Sequence, residues 1–282
     1  MTPIPVLCYH RIGGPLELGV TRVGRSVFAR QMTALARAGW RTVSVGEFAQ
    51  RSDDAGAQHA APLHNNGSRE FLLTFDDGYA ALAEHAYPVL ADLGFTATTF
   101  LITDYVGKTN TWDVRYTWHR LQHLSWTEVE RWRARGFQFG SHGATHRRLT
   151  WLHSTAIRDD LARSREVLIH RLGQDAGRAI AYPFGAVDGR VTDVARSCGY
   201  ELGFAGVRGN GTSLQLPRVP VYSWDIANVP FGLRGDAIGA VGRLVAHAAN
   251  RCAVGTSILQ GLGPRGWGLG EFPRPKSQAP RP

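Results

Sequence analysis

Short apolar runs recur along the chain at Val6–Tyr9, Thr42–Val45, Phe71–Phe75, Thr96–Ile102, Phe137–Phe139, Ala179–Tyr182, Glu201–Ala205, Arg218–Val221 and Thr256–Leu259, and helical patterns fill many of the gaps. Ser26 is placed to N-cap a helix whose Phe28, Met32, Leu35 and Ala36 share one face and which Gly39 can stop. Ser125 and Glu128 have capping-box spacing, and Ile157, Leu161, Ser164, Leu168 and Leu172 form a helical stripe ended by Gly173. Strand and helix alternate, which predicts parallel strands joined by crossover helices. The α/β solutions are a closed (β/α) barrel or an open doubly wound sheet.

At 282 residues the chain fits one large domain, and no internal repeat or long linker divides it. Residues 1–260 are expected to form that domain. The segment Arg51–Arg69, with the turn signal Asn65-Asn66-Gly67, reads as a surface loop. Residues 261–282 carry five glycines and five prolines, so a disordered tail is expected there.

A hydrophobic fraction of 43% against 20% charged residues excludes a wholly disordered chain. No apolar run reaches the length of a transmembrane helix, and the start lacks the basic and apolar regions of a secretory signal, so a cytoplasmic protein is expected. An incomplete N-terminus would permit a periplasmic or cell-surface location instead. The net charge of +9 comes from scattered arginines, with lysine only at Lys108 and Lys276, and no basic run points to nucleic acid. Cys8, Cys198 and Cys252 are too far apart for a thiolate zinc motif and read as small buried side chains.

Four segments place polar groups at strand ends, where parallel α/β folds collect their chemistry. Leu72-Leu73-Thr74-Phe75 runs into Asp76-Asp77-Gly78, and the glycine permits a sharp turn that lets both carboxylates face one cleft. Phe137-Gln138-Phe139-Gly140-Ser141 runs into His142-Gly143-Ala144-Thr145-His146. Two histidines four apart with a carboxylate can hold one metal and leave room for water, although residue 143 is glycine, so a helical His-Glu-x-x-His zincin is excluded. Ala181-Tyr182-Pro183-Phe184-Gly185 follows another strand, and Val6-Leu7-Cys8-Tyr9-His10 delivers a histidine near the N-terminus. Taken singly, each segment also fits a plain turn, a helix cap or a surface histidine.

Together the four resemble the NodB-homology polysaccharide deacetylases, carbohydrate esterase family four, over about residues 4 to 260. Thr74-Phe75-Asp76-Asp77-Gly78 is similar to the family's first motif. Ser141-His142-Gly143-Ala144-Thr145-His146 is similar to its second with one altered position, and Tyr182-Pro183-Phe184-Gly185 to its third. The resemblance implies a single distorted (β/α) barrel of about seven strands. It implies that Asp77, His142 and His146 hold a divalent metal, zinc foremost, that Asp76 is the general base, and that the Phe184 backbone N–H supports the oxyanion. Tyr182, Pro183, Trp112 and Trp224 are expected to contact substrate, with Trp118 a further groove candidate.

Two departures stand out. The family's C-terminal Leu-x-x-His is replaced by Leu259-Gln260, whereas Leu7-Cys8-Tyr9-His10 has that form and resembles the N-terminal segment of a permuted branch, which makes His10 the expected general acid. A C-terminus lost or altered after Gln260 is the other reading. Ala181 stands where many members carry an arginine, and Arg218 is expected to supply the missing positive charge to Asp76. The implied activity is hydrolysis of an N-acetyl or similar small acyl group from an amino sugar of a poly- or oligosaccharide. The alternatives are a deformylase or amidase acting on a lipid-linked sugar or small cyclic amide, and a catalytically impaired carbohydrate-binding relative.

Overall fold

The computed structural model describes residues 4–15, 19–54, 69–111 and 121–234, with positions 239, 242 and 245. The elements run β1 (Val6–Tyr9), β2 (Arg11–Ile12), β3 (Arg22–Val23), α1 (Arg25–Arg37), β4 (Arg41–Thr42), α2 (Val45–Asp54), β5 (Glu70–Phe75), α3 (Ala81–His85), α4 (Tyr87–Asp92), β6 (Thr98–Leu101), α5 (Trp126–Arg133), β7 (Gln138–Ser141), α6 (Ser154–Leu172), β8 (Ala179–Ala181), α7 (Gly189–Ser197), β9 (Leu202–Phe204) and β10 (Val219–Pro220). The main sheet has the order β10-β1-β5-β6-β7-β8-β9, with β4 added alongside β5. Each of these pairings is parallel.

The sheet curls until its two edges approach. Leu216 bridges Phe204 in parallel, and its N–H donates to the Gly203 carbonyl at 2.8 Å. A few residues later Val219 and Pro220 pair with Leu7 and Cys8 of β1. Residues 216 to 220 therefore link the last strand to the first, and the expected seven-strand α/β barrel is the architecture found.

Side chains alternate across this wall because a strand has a period of two. Leu7, Tyr9, Leu73 and Phe75 face outward into an apolar layer with Phe28, Met32 and Leu35 of α1, Leu90 of α4 and Trp132 of α5. Val6, Leu72, Phe100, Ala179, Ala181, Phe204 and Leu216 face inward, where Val43 and Phe48 join them. A third cluster packs Ile157 and Leu161 of α6 and Val191 and Ala195 of α7 beside β8.

Local signals explain most boundaries. Ser125 and Glu128 form the reciprocal capping box that opens α5, and the Asp188 side chain accepts the Val191 N–H at the start of α7. Two expectations are corrected. The run at Thr42–Val45 is not one strand, because Ser44 and Glu47 exchange side-chain and backbone hydrogen bonds of 2.8 and 3.0 Å and turn the chain into α2. The N-cap of α1 is Gly24, whose carbonyl accepts the Phe28 N–H at 3.0 Å, so Ser26 sits inside the first turn. Residues 51–54 of the expected surface loop belong to α2, and the rest of that loop to position 68 lies outside the described residues. So do Trp112, Trp118, the Thr256–Leu259 run, Gln260 and the 261–282 tail. Among the described residues, no helix is long and apolar enough to cross a membrane.

Candidate active site

The inward period of β5 passes from Leu72 through Thr74 to Asp76, so this carboxylate points into the mouth of the barrel. Parallel register matches Cys8 with Thr74, and the Asp76 N–H donates to the Tyr9 carbonyl at 2.9 Å, which sets His10 level with Asp76. Arg218 enters from the closing segment. Its guanidinium lies over Phe100, 5.8 Å from the ring centroid, and both terminal nitrogens donate to Asp76, to Oδ1 and Oδ2, at 2.7 Å each. Burial pushes the Asp76 carboxyl up, but Arg218 and then His142 outweigh it and hold the group down at about 2.

Strand alternation alone would turn Asp77 away from Asp76. Instead Asp77 and Gly78 both adopt positive φ, 69° and 68°, which swings the second carboxylate into the same cleft. A Cβ on Gly78 would also meet Leu101 Cδ2 at 2.6 Å. His123, buried beneath the turn, donates its Nδ1 proton to the Asp77 carbonyl at 2.8 Å and stacks on Tyr79.

His142 and His146 converge on Asp77. Their Nε2 atoms lie 3.4 and 3.3 Å from its Oδ1. The Nδ1 of His142 is 2.7 Å from the Ala181 carbonyl, which can only accept, so this nitrogen carries a proton and Nε2 is the atom turned toward Asp77. Burial works against charge on both rings. At His142 the neighbouring Asp76 and Asp77 outweigh it and raise the pKa, whereas at His146 burial prevails and lowers it to about 4.

The loop between the histidines is tied down from α6. Asp160 accepts the N–H groups of Ala144 at 2.9 Å and Thr145 at 3.1 Å, and also takes the Thr145 hydroxyl. Gly143, at φ +74°, passes so close that a Cβ would stand 2.7 Å from Asp160 Oδ2. On the far side, Phe184 has φ 61° and its ring meets that of His146 edge-on at 4.8 Å.

The donor set fits a divalent cation. Asp77, His142 and His146 are all buried, and their ligating atoms lie within 4.8 Å of one another. Asp77 Oδ1 is buried without a well-aligned hydrogen bond and is faced by two imidazole nitrogens, an arrangement that a shared cation satisfies. Asp76, Asp77, His10, His142, His146, Arg218 and the Phe184 turn thus gather at one end of the barrel. Tyr182 and Pro183 are buried, with the Tyr182 ring packed among Ile157, Leu161 and Val191, so neither presents an exposed ring. Trp224 is half-buried against Tyr222, with ring centroids 4.8 Å apart. Asp160 was not legible as a site residue. Its signal was a carboxylate three residues after Ile157 and four before Ser164, on the apolar stripe of α6.

Comparison with known proteins places these features. The polysaccharide deacetylase family profile matches residues 64–203. The polysaccharide-deacetylase homologue YxkH of Bacillus subtilis is 27% identical over 237 residues, covering 84% of this chain and 75% of that one. The poly-beta-1,6-N-acetyl-D-glucosamine N-deacetylase of Staphylococcus aureus is 27% identical over 166 residues, 54% of each chain, so this alignment spans about half of that enzyme. The deacetylase PplD of Streptococcus pyogenes has the same fold, with a TM-score of 0.67 at 22% identity over 79% of this chain and 95% of that one. The profile match, these relatives and the shared fold together place the chain in the polysaccharide deacetylase family.

Proposed function

We propose that the protein is a metal-dependent hydrolase that removes an N-acetyl, or similar small acyl, group from an amino sugar of a poly- or oligosaccharide. The observation that carries this reading is the contact of two unlike halves: a buried Asp77–His142–His146 donor set beside an Asp76 carboxylate fixed by Arg218. Two imidazoles and one carboxylate suit zinc. Bound there, the ion would polarise the amide carbonyl and lower the pKa of its water toward about 7.

The side chains account for the remaining work. Asp76, held ionised with its lone pairs oriented by Arg218, accepts the proton of the attacking water. His10, level with Asp76 at the barrel mouth, donates a proton to the departing amine. The backbone N–H of Phe184, in its strained turn, faces the oxygen on which charge develops. The similarity to the staphylococcal enzyme favours a β-1,6-linked N-acetylglucosamine polymer as the first substrate to try.

The test is acetate release from that polymer and from acetylated oligosaccharides by chelator-stripped protein, before and after zinc is returned. Release that depends on zinc and is lost in Asp76→Asn supports the proposal. Glycan binding with no release from any acylated amino sugar contradicts it and leaves a binding relative.

A further inference from the structure

Beside the Asp77 set lies a second group of potential ligands. Cys8, His10 and Asp76 each offer one donor atom, all within 4.8 Å of one another. The arrangement follows from the fold. Cys8 lies on β1 and His10 directly follows it two residues on, so the register of β1 on β5 and the Asp76 N–H to Tyr9 carbonyl bond set them beside Thr74 and Asp76. The Cys8 thiol lies 3.5 Å from Asp76 Oδ2, to which it donates, and the Nδ1 of His10 is buried without a hydrogen-bond partner.

We propose that Cys8, His10 and Asp76 form a second cation site, which takes a soft divalent ion such as zinc or cadmium and, when filled, stops the reaction. The ion replaces the thiol proton, which leaves to solvent, and is bound by thiolate sulfur, imidazole nitrogen and carboxylate oxygen. Metal–ligand bonds of about 2.0 to 2.3 Å in a tetrahedron put neighbouring donors roughly 3.5 Å apart, the separation already present between Cys8 and Asp76. A thiolate distinguishes this site from the all-nitrogen-and-oxygen Asp77 set and selects soft ions. The Arg218 charge on Asp76 opposes a second cation, so the site is the weaker of the two. Filling it removes the proposed base and acid together. That inhibitory effect rests on the function proposed above, whereas the binding itself does not.

The experiment uses the full chain carrying Cys198→Ser and Cys252→Ser, which leaves Cys8 as its only thiol. Cadmium is titrated with bound metal counted by equilibrium dialysis, the ultraviolet cadmium–thiolate charge-transfer band recorded, and acetate release followed in parallel. The expected result is two ions per chain, the second half-filled at roughly tenfold or more higher free cadmium. The thiolate band should grow with the second ion and persist in His142→Ala, which loses the first. Adding Cys8→Ser should remove the band and one ion. One ion at saturation with no thiolate band in the parent overturns the proposal, whether or not Cys8→Ser folds. A band without any acetate release at low cadmium keeps the site and rejects the function. Release that continues undiminished while the band saturates overturns the inhibitory role.

Discussion

Arg218 and Asp76 meet through two parallel N–H···O bonds of 2.7 Å in a buried environment, although 142 residues separate them in sequence. The carboxylate comes from the end of β5 and the guanidinium from the segment that closes the barrel between β9 and β1. Closing the fold and charging the proposed base are thus one structural event.

Replacing Arg218 with methionine removes the interaction that keeps Asp76 ionised. Its pKa rises from about 2, so the protonated, inactive form persists to higher pH and the acid limb of the kcat profile moves upward. At neutral pH kcat should fall by about 10² to 10⁴, the usual span of general-base catalysis. A methionine variant with the wild-type rate and acid limb would remove Arg218 from the mechanism.

Asp160 reaches the metal-binding loop only through backbone and hydroxyl groups, so Asp160→Asn leaves all three proposed ligands in place while giving the loop a poorer acceptor. Metal affinity should drop by about ten- to a hundredfold with the circular dichroism of the fold retained. An unchanged dissociation constant for zinc would reduce Asp160 to a stability role.

The strand-end carboxylates and the histidine pair were legible because Asp76 and Asp77 directly follow one apolar run and His142 and His146 lie in the polar stretch just after another. Arg218 was reachable through the absence of an arginine at position 181. Asp160 was not, since its role depends on α6 crossing the loop, a tertiary fact whose one local trace is a carboxylate on the apolar stripe of that helix. The break after Thr42 was missed for a different reason: the Ser44–Glu47 capping box is a local signal that the apolar run around it concealed. The left-handed Asp77 likewise leaves its only trace in the glycine that follows it.

Gly185 has φ +61°, and a Cβ there would stand 2.5 Å from the backbone nitrogen of Gly206, which cannot rotate away. Gly185→Ala should cost about 1 to 3 kcal/mol and displace the Phe184 turn. Gly189→Ala, where a Cβ meets nothing within 4 Å, is the control. Equal urea midpoints for the two variants would contradict the account of the turn.

Burial raises the Asp225 carboxyl to about 6 against the opposing pull of the Phe231 N–H and Arg234. Between its unfolded value near 4 and about 6 the folded chain binds the extra proton, so this group's stabilisation is complete below the former and lost as pH rises through the latter. Wild-type stability should therefore fall between about pH 4 and 7 relative to Asp225→Asn. Urea unfolding of both proteins across that range measures the difference, and parallel curves would show that Asp225 does not titrate this way.

The claim on which the rest depends is that Asp77, His142 and His146 hold one metal ion. Elemental analysis of protein purified without a metal-binding tag, stripped and then dialysed against a small excess of zinc, tests it without any assumption about substrate. The account predicts about one tightly held ion per chain, lost in both Asp77→Ala and His142→Ala. Wild-type protein that retains no zinc, or variants that retain as much as wild type, would contradict it.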